Sequence, residues 1–230
     1  MTGVTATPPD RDPSRDLWEE HAGWWIDGFT DGADPEYEEQ ILPIAAAELG
    51  DALTILDIGC GDGQISRMMA SVGADVVGID PTANQIRVAH ERGGGAAYLR
   101  ATADELPFAD ASFDAVTVSF GLRNVAGTRD ALAEMLRVTR PGGRIVVCEF
   151  SSPTWPPFRV LYTEYLVRAL PAIARVVSSD PESYEYLADS IRAWPDQVGL
   201  ARLLREAGWT HVAYRNLSGG IVALHRGRRP

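Results

Sequence analysis

Lysine is absent from this chain of 230 residues, and all 21 basic side chains are arginine. That absence removes Schiff-base chemistry and the phosphate loop whose lysine sits on the phosphates. Histidine is scarce (His21, His90, His211, His225), and cysteine scarcer (Cys60, Cys148). No pair among these has the spacing of metal ligands, so no metal site is expected. Both cysteines sit in apolar, strand-like contexts, the setting of reduced thiols in a cytoplasmic protein. No apolar run approaches the roughly 18 residues that a membrane span needs. The opening MTGVTATPPDRDPSRD lacks the apolar core of a signal peptide, and residues 1–15 read as a disordered tail. Cations are outnumbered, 32 acids to 21 arginines for a net charge of -11, so nucleic acid is not an expected partner.

What is present is a chain 45% hydrophobic, enough for one generous domain. Its charge is unevenly spread. Residues 1–115 hold 6 arginines and 22 acids, a net of -16; residues 116–230 hold 15 arginines and 10 acids, a net of +5. The plain explanation is drift of surface charge. The sharper one is that the second half meets something anionic or membrane-like.

Along the chain, DLWEEHAGWWIDGFTDG carries Trp18, Trp24 and Trp25 and reads as a short aromatic helix, with a second helix from Pro35 closed by Gly50. Residues 16–50 are therefore expected to form a helical cover, and 51–230 the main domain. Strands are expected at Thr54–Ile58, Asp75–Ile79, Ala97–Arg100 and Ala115–Ser119. Helices are expected between them at Gln64–Ser71, Thr82–Glu91 (Thr82 as N-cap) and Thr128–Val138. RPGGRIVVCEF reads as a Pro-Gly-Gly turn leading into another strand. Residues 153–208 look mostly helical, a substrate-side insertion. Two last strands, Val212–Leu217 and Ile221–His225, flank Ser218-Gly219-Gly220, so they form an antiparallel hairpin. The alternation implies an open, doubly wound α/β sheet, mostly parallel.

In such sheets ligands sit beyond the carboxyl ends of the strands. Here that place is Asp57-Ile58-Gly59-Cys60-Gly61-Asp62-Gly63, whose glycines let a ligand approach the backbone. Asp80 closes the next strand 19 residues after Gly61 and can bind both hydroxyls of a ribose. A nicotinamide dinucleotide and S-adenosylmethionine both satisfy this logic. D-I-G-C-G-D-G with that acid resembles the cofactor loop of class I S-adenosylmethionine-dependent methyltransferases. ELPFADASFDAV and RVTRPGGRIVVCEF resemble later parts of the same fold. The resemblance implies a Rossmann-like seven-stranded sheet with one antiparallel strand, and S-adenosyl-L-methionine as cofactor.

The second half is more specific. VTVSFGLRNV, EMLRVTRPGGRIVVCEFSSP, SYEYLADSIRAWPDQ and NLSGGIVALHRG together resemble the ubiquinone/menaquinone-biosynthesis C-methyltransferases from about Val116 onward. The first half departs: it lacks that family's Tyr-Asp opening helix and looks like the lead-in of other small-molecule methyltransferases. The change of resemblance falls near the change of charge, which reads as a hybrid chain.

The resemblance implies roles by position. Gly59 and Gly61 face the methionyl carboxylate and ribose, Asp57 holds the loop and meets the amino group, and Asp80 takes the ribose. Thr102 and Ala103 stand at the adenine, although Thr102 replaces the usual Asp or Asn and leaves Asp104 as an alternative. Ser119 contacts the cofactor. Arg123 and Asn124 are the catalytic pair, positioning a water or stabilising a phenolate; the second role is preferred for Arg123 because a guanidinium stays protonated and is a poor base. The ordinary alternative for Arg123 is a pair with a surface acid. Tyr184, Tyr186 and His211 are weaker candidates for substrate contacts. The implied acceptor is a lipophilic quinol. The apolar, arginine-bearing run TWPPFRVLYTEYLVRALPAIARVVS either covers a greasy cavity or rests on the inner face of a membrane.

Overall fold

The computed structural model describes Glu19 and residues 42–165, 169 and 181–230. The expected tail, the tryptophan helix and the Pro35 helix start lie outside the described residues. In chain order the elements are α1 (Leu42–Leu49), β1 (Thr54–Ile58), α2 (Gln64–Ser71), β2 (Asp75–Asp80), α3 (Ala83–Arg92), β3 (Ala97–Arg100) and β4 (Phe113–Ser119). They continue as α4 (Thr128–Val138), β5 (Thr139–Phe150), α5 (Pro156–Glu164), α6 (Pro181–Ala193), α7 (Gln197–Glu206), β6 (Thr210–Leu217) and β7 (Val222–Arg228).

The seven strands form one sheet in the order β3-β2-β1-β4-β5-β7-β6. β1 pairs in parallel with both β2 and β4, and β4 in parallel with β5. β7 runs antiparallel to both β5 and β6, so it is the one reversed strand, as the Ser218-Gly219-Gly220 hairpin requires. The connections leave β1 toward one edge and β4 toward the other. The β1–β4 seam is therefore the switch point, and its carboxyl end the natural ligand crevice.

Helices cover both faces, which explains why the central strands are unbroken apolar runs. Alternate residues serve opposite cores. Leu56, Ile58, Val116, Val118, Ile145 and Val147 pack with Leu132 and Met135 of α4, Leu200 and Leu204 of α7, and Trp209. Ile55, Val76, Ala115, Val146 and Cys148 pack with Ile65 and Met69 of α2 on the other side. Ala45 and Leu49 of α1 join that second core, so the end of the expected cover is part of the folded domain.

The expected Pro-Gly-Gly turn is instead the opening of a 12-residue strand. Pairing passes from Phe113↔Thr139 to Ala115↔Arg144, a bulge that absorbs the extra residues. Gly142 takes φ +79°, and a Cβ on Gly143 would lie 2.7 Å from the Asp114 carbonyl oxygen. Only glycine fits there. Arg229 pairs with both glycines through its backbone, which keeps the segment extended.

Trp209, 2% exposed, plugs the junction of α4, α7 and β6, and its Nε1 donates to the Leu132 carbonyl at 3.2 Å. Trp209→Ala should therefore cost about 3–5 kcal/mol, the range for removing a large buried aromatic. Urea unfolding of the two proteins checks this through the midpoint at constant slope.

Candidate active site

Gly59, Gly61 and Gly63 all take positive φ, at +66°, +56° and +86°. A Cβ on Gly59 would stand 3.7 Å from Gly121 Cα across the β1–β4 seam, and one on Gly63 would fall inside the Tyr98 phenol. The turn is stitched to its neighbours by Cys60 N–H donating to Ile79 O and Gly63 N–H donating to Cys60 O, both at 2.9 Å. Asp62 is buried on its far side, paired with Arg67 of α2 and Arg92 of α3.

Asp80 is the hub of the turn. Its Oδ2 accepts from Gly61 N–H at 3.1 Å; its Oδ1 accepts from Thr82 N–H at 2.9 Å and from the Thr82 hydroxyl at 2.7 Å. Burial pushes its pKa up, while these three bonds pull it back. A carboxylate has about four acceptor directions, so Asp80 retains capacity for a ligand hydroxyl. Thr82 does occupy the N-cap position of α3, but its hydroxyl serves Asp80 and makes no cap bond. Glu19 caps the helix instead, accepting from Ala83 N–H at 2.7 Å and Asn84 N–H at 3.0 Å. No local pattern announces a cap supplied from 64 residues away.

Asp57 is 1% exposed and accepts from the Ser66 hydroxyl at 2.6 Å, tying β1 to α2. It holds the loop, as expected, but is not among the residues lining the cavity described below. Burial, and then the charge of Asp80, raise its pKa to about 7 against the Ser66 hydrogen bond. The unfolded carboxyl titrates near about 4. Between those values the folded chain keeps a proton that the unfolded chain has lost. This group therefore removes stability as pH rises from about 4 to 7. Asp57→Asn should abolish that slope: the stability difference between variant and wild type should move in the variant's favour across this window and level off above it. Urea titrations at intervals from pH 4 to 8 measure it.

A cavity of about 320 Å³ opens at the carboxyl ends of the strands, a size suited to a small-molecule ligand. Gly59, Gly61, Asp80, Thr102, Ala103, Ser119 and Asn124 all line it. Asp104 lines it too, so both alternatives for the polar contact at Thr102 stand on the wall; Thr102 itself is braced by a bridge to Glu105. Gln85, 5% exposed on the inner face of α3, is a wall residue missed in the sequence. The available signal was a polar residue at a core position of an amphipathic helix, between buried Asp80 and buried Ile86.

At the other end β4 closes in Ser119 and Phe120. Phe120 takes φ +54°, an uncommon conformation for a bulky residue, and lies against the Phe150 ring at 4.9 Å. A 3-10 turn over Leu122–Asn124 follows. Arg123 does not line the cavity; its side chain is wholly buried beside the wholly buried Glu149. Nη1 donates to Glu149 Oε1 at 2.8 Å and to the Phe120 carbonyl at 2.5 Å, and Nε donates to Ser190 Oγ at 3.3 Å. Its Cζ sits 4.9 Å from the centre of the Phe150 ring. Nη2 has no hydrogen-bond partner among the described residues. The acid beside Arg123 is thus a core residue and not the surface acid of the ordinary alternative. Asn124 meets Tyr186 of α6, whereas His211 stands exposed on β6 with its ring against Thr210.

This arrangement sets a glycine turn and a buried acid at the end of β2 around one crevice, with a buried arginine–glutamate pair behind its far wall. The ubiE/COQ5 methyltransferase family matches residues 37–229. The chain belongs to that family. The demethylmenaquinone methyltransferase of Streptomyces avermitilis is 55% identical over 182 residues, covering 79% of each chain. That of Paenarthrobacter aurescens is 57% identical over 176 residues, covering 76% of this chain and 70% of its own. Among solved structures, phosphoethanolamine N-methyltransferase 2 of Haemonchus contortus, in complex with S-adenosyl-L-methionine, superposes with a TM-score of 0.72 at 15% identity. It covers 97% of this chain and 61% of that one, a likeness of fold. The family match begins at residue 37 and runs through the acidic half as well as the basic one. The resemblance confined to Val116 onward was too narrow.

The Arg123–Glu149 pair sets a stability test. Glu149→Gln leaves a guanidinium buried without a counter-ion and should cost about 3–5 kcal/mol. The double variant Arg123→Met with Glu149→Leu should recover most of that, because no charge then remains to be desolvated. Denaturant midpoints of the three proteins decide it.

Proposed function

We propose that the protein transfers the methyl group of S-adenosyl-L-methionine to a ring carbon of a demethylmenaquinol-like hydroquinone. The single observation that carries this reading is the family match over residues 37–229, joined to relatives above 50% identity that are named demethylmenaquinone methyltransferases. The cavity offers each part of the cofactor a fitting neighbour. Asp80 takes one ribose hydroxyl with its remaining acceptor direction. Gly59 and Gly61 offer backbone to the methionyl end, and Thr102, Ala103 and Asp104 border the adenine. Asp80, held toward its charged form by three hydrogen bonds, is the acid on the wall at this end and favours a ligand carrying a sulfonium and an ammonium. Asp57 acts there through its hold on α2. Ser119 stands between the cofactor end and the 122–124 turn.

The acceptor is activated when a phenol loses its proton and charge spreads to the ortho carbon. The protein's task is to hold that carbon in line with the sulfonium methyl and to stabilise the charge. Asn124 supplies an amide at the cavity wall, and Arg123, paired with Glu149 behind that wall, holds the turn that carries it. Trp155 at the N-cap of α5, and Val160 and Leu161 on it, are all about two-thirds exposed. These exposed apolar side chains suit a prenylated substrate drawn from a membrane surface, with the protein resting on its inner, cytoplasmic face.

Asp80→Ala tests the cofactor assignment. It should raise the dissociation constant for S-adenosyl-L-methionine about tenfold to a hundredfold, the loss of a hydrogen bond to a charged group. The melting temperature of the free protein should fall as well, since the Gly61 and Thr82 bonds go with it. Calorimetry with unchanged affinity would falsify the assignment. Single-turnover transfer to a short-chain demethylmenaquinol tests the acceptor: methyl appearing only on an unrelated acceptor would replace the quinol reading.

A further inference from the structure

Tyr186 and Ser190 lie one helical turn apart on the face of α6 that meets the 122–124 turn. Ser190 Oγ accepts from Arg123 Nε at 3.3 Å and donates to its own helix at Leu187 O. The Tyr186 hydroxyl lies 3.1 Å from Asn124 Oδ1. The orientation of the Asn124 amide follows from its other contact. Its Nδ2 faces the Phe120 carbonyl at 3.4 Å. A carbonyl only accepts, so the amide nitrogen belongs on that side and the amide oxygen faces Tyr186, whose phenol must donate. The Phe120 carbonyl is already engaged by Arg123 Nη1 at 2.5 Å, so its bond to Asn124 is the longer and weaker of the two. That bond alone holds the amide loosely; the Tyr186 bond completes the restraint.

We propose that Tyr186 is a positioning residue for methyl transfer, fixing the Asn124 amide so that its nitrogen, and not its oxygen, is presented to the acceptor oxygen in the cavity. The inference rests on the methyl-transfer reading above and adds the residue that orients its catalytic amide. An amide flipped by half a turn would present a lone pair to a developing phenolate and oppose the reaction. Tyr186 acts as a donor to Asn124 and takes nothing from the substrate. Because Tyr186 and Ser190 belong to one helix, α6 sets both members of the Arg123-Asn124 pair together.

Tyr186→Phe removes only the hydroxyl. The expected result is a kcat about tenfold lower for transfer to a short-chain demethylmenaquinol, the scale of one lost hydrogen bond felt at the transition state. The affinity for S-adenosylhomocysteine and the melting temperature should stay close to wild type. In an Asn124→Ala background the Tyr186→Phe change should have no further effect on kcat, because the group it orients is gone. The side-chain amide resonance of Asn124, identified by its loss in Asn124→Ala, should move in Tyr186→Phe without any acceptor present. An unmoved resonance, a wild-type kcat, or losses that multiply in the double variant would each overturn the proposal. If the wild type transfers nothing to the quinol while the resonance still moves, the acceptor reading fails and the orienting role of Tyr186 stands.

Discussion

A guanidinium with no exposed surface must be neutralised before the end of β4 can be built. Glu149 does this from the adjacent strand β5, and the pair then organises the acceptor side of the crevice. Arg123 Nη1 bridges the Glu149 carboxylate and the Phe120 carbonyl, which ties β4, β5 and the 122–124 turn into one unit. The left-handed Phe120 backbone is tolerated because its carbonyl is held from that side and its ring is packed on Phe150. Asn124 inherits its place at the cavity wall from that turn. A buried ion pair is weak as a source of net stability, but it is demanding about geometry, and geometry is what this corner of the site needs.

The two ends of the crevice differ. At the glycine turn Asp80 is on the wall and Asp57 behind it, both buried and both pushed toward the neutral form by desolvation. At the other end Asn124 is on the wall and the Arg123–Glu149 pair lies behind it. The seam between β1 and β4 brings the two ends within reach of each other, because Gly59 and Gly121 leave no side chains between the strands there.

Part of the uneven charge of the chain is met by ion pairs between its two halves. Arg140 pairs with Asp114, Arg144 with Asp51, Arg226 with Glu48, and Arg137 with Asp110. In each pair an arginine of the second half meets an acid of the first. Arg137 also holds the carbonyls of Leu106 and Phe108, which steadies the loop that carries Asp104 to the cavity. The two halves are complementary parts of one sheet, in agreement with a family match that spans both.

Periodicity and turn chemistry in the sequence determined most of the framework. α2 and α4 begin and end where the apolar pattern placed them, and the Ser218-Gly219-Gly220 turn fixed the reversed strand. The glycine turn and Asp80 were legible because their spacing reflects backbone geometry, a local matter. The Pro-Gly-Gly segment misled, since whether a glycine pair turns or bulges depends on the strand beside it, here Asp114 and Arg229. The tertiary structure alone decided which groups meet across long stretches of chain: Glu19 on α3, Glu149 on Arg123, Tyr186 on Asn124. Partners 64, 26 and 62 residues apart leave no periodic trace, because side-chain pairing at a strand end depends on how the helices dock on the sheet.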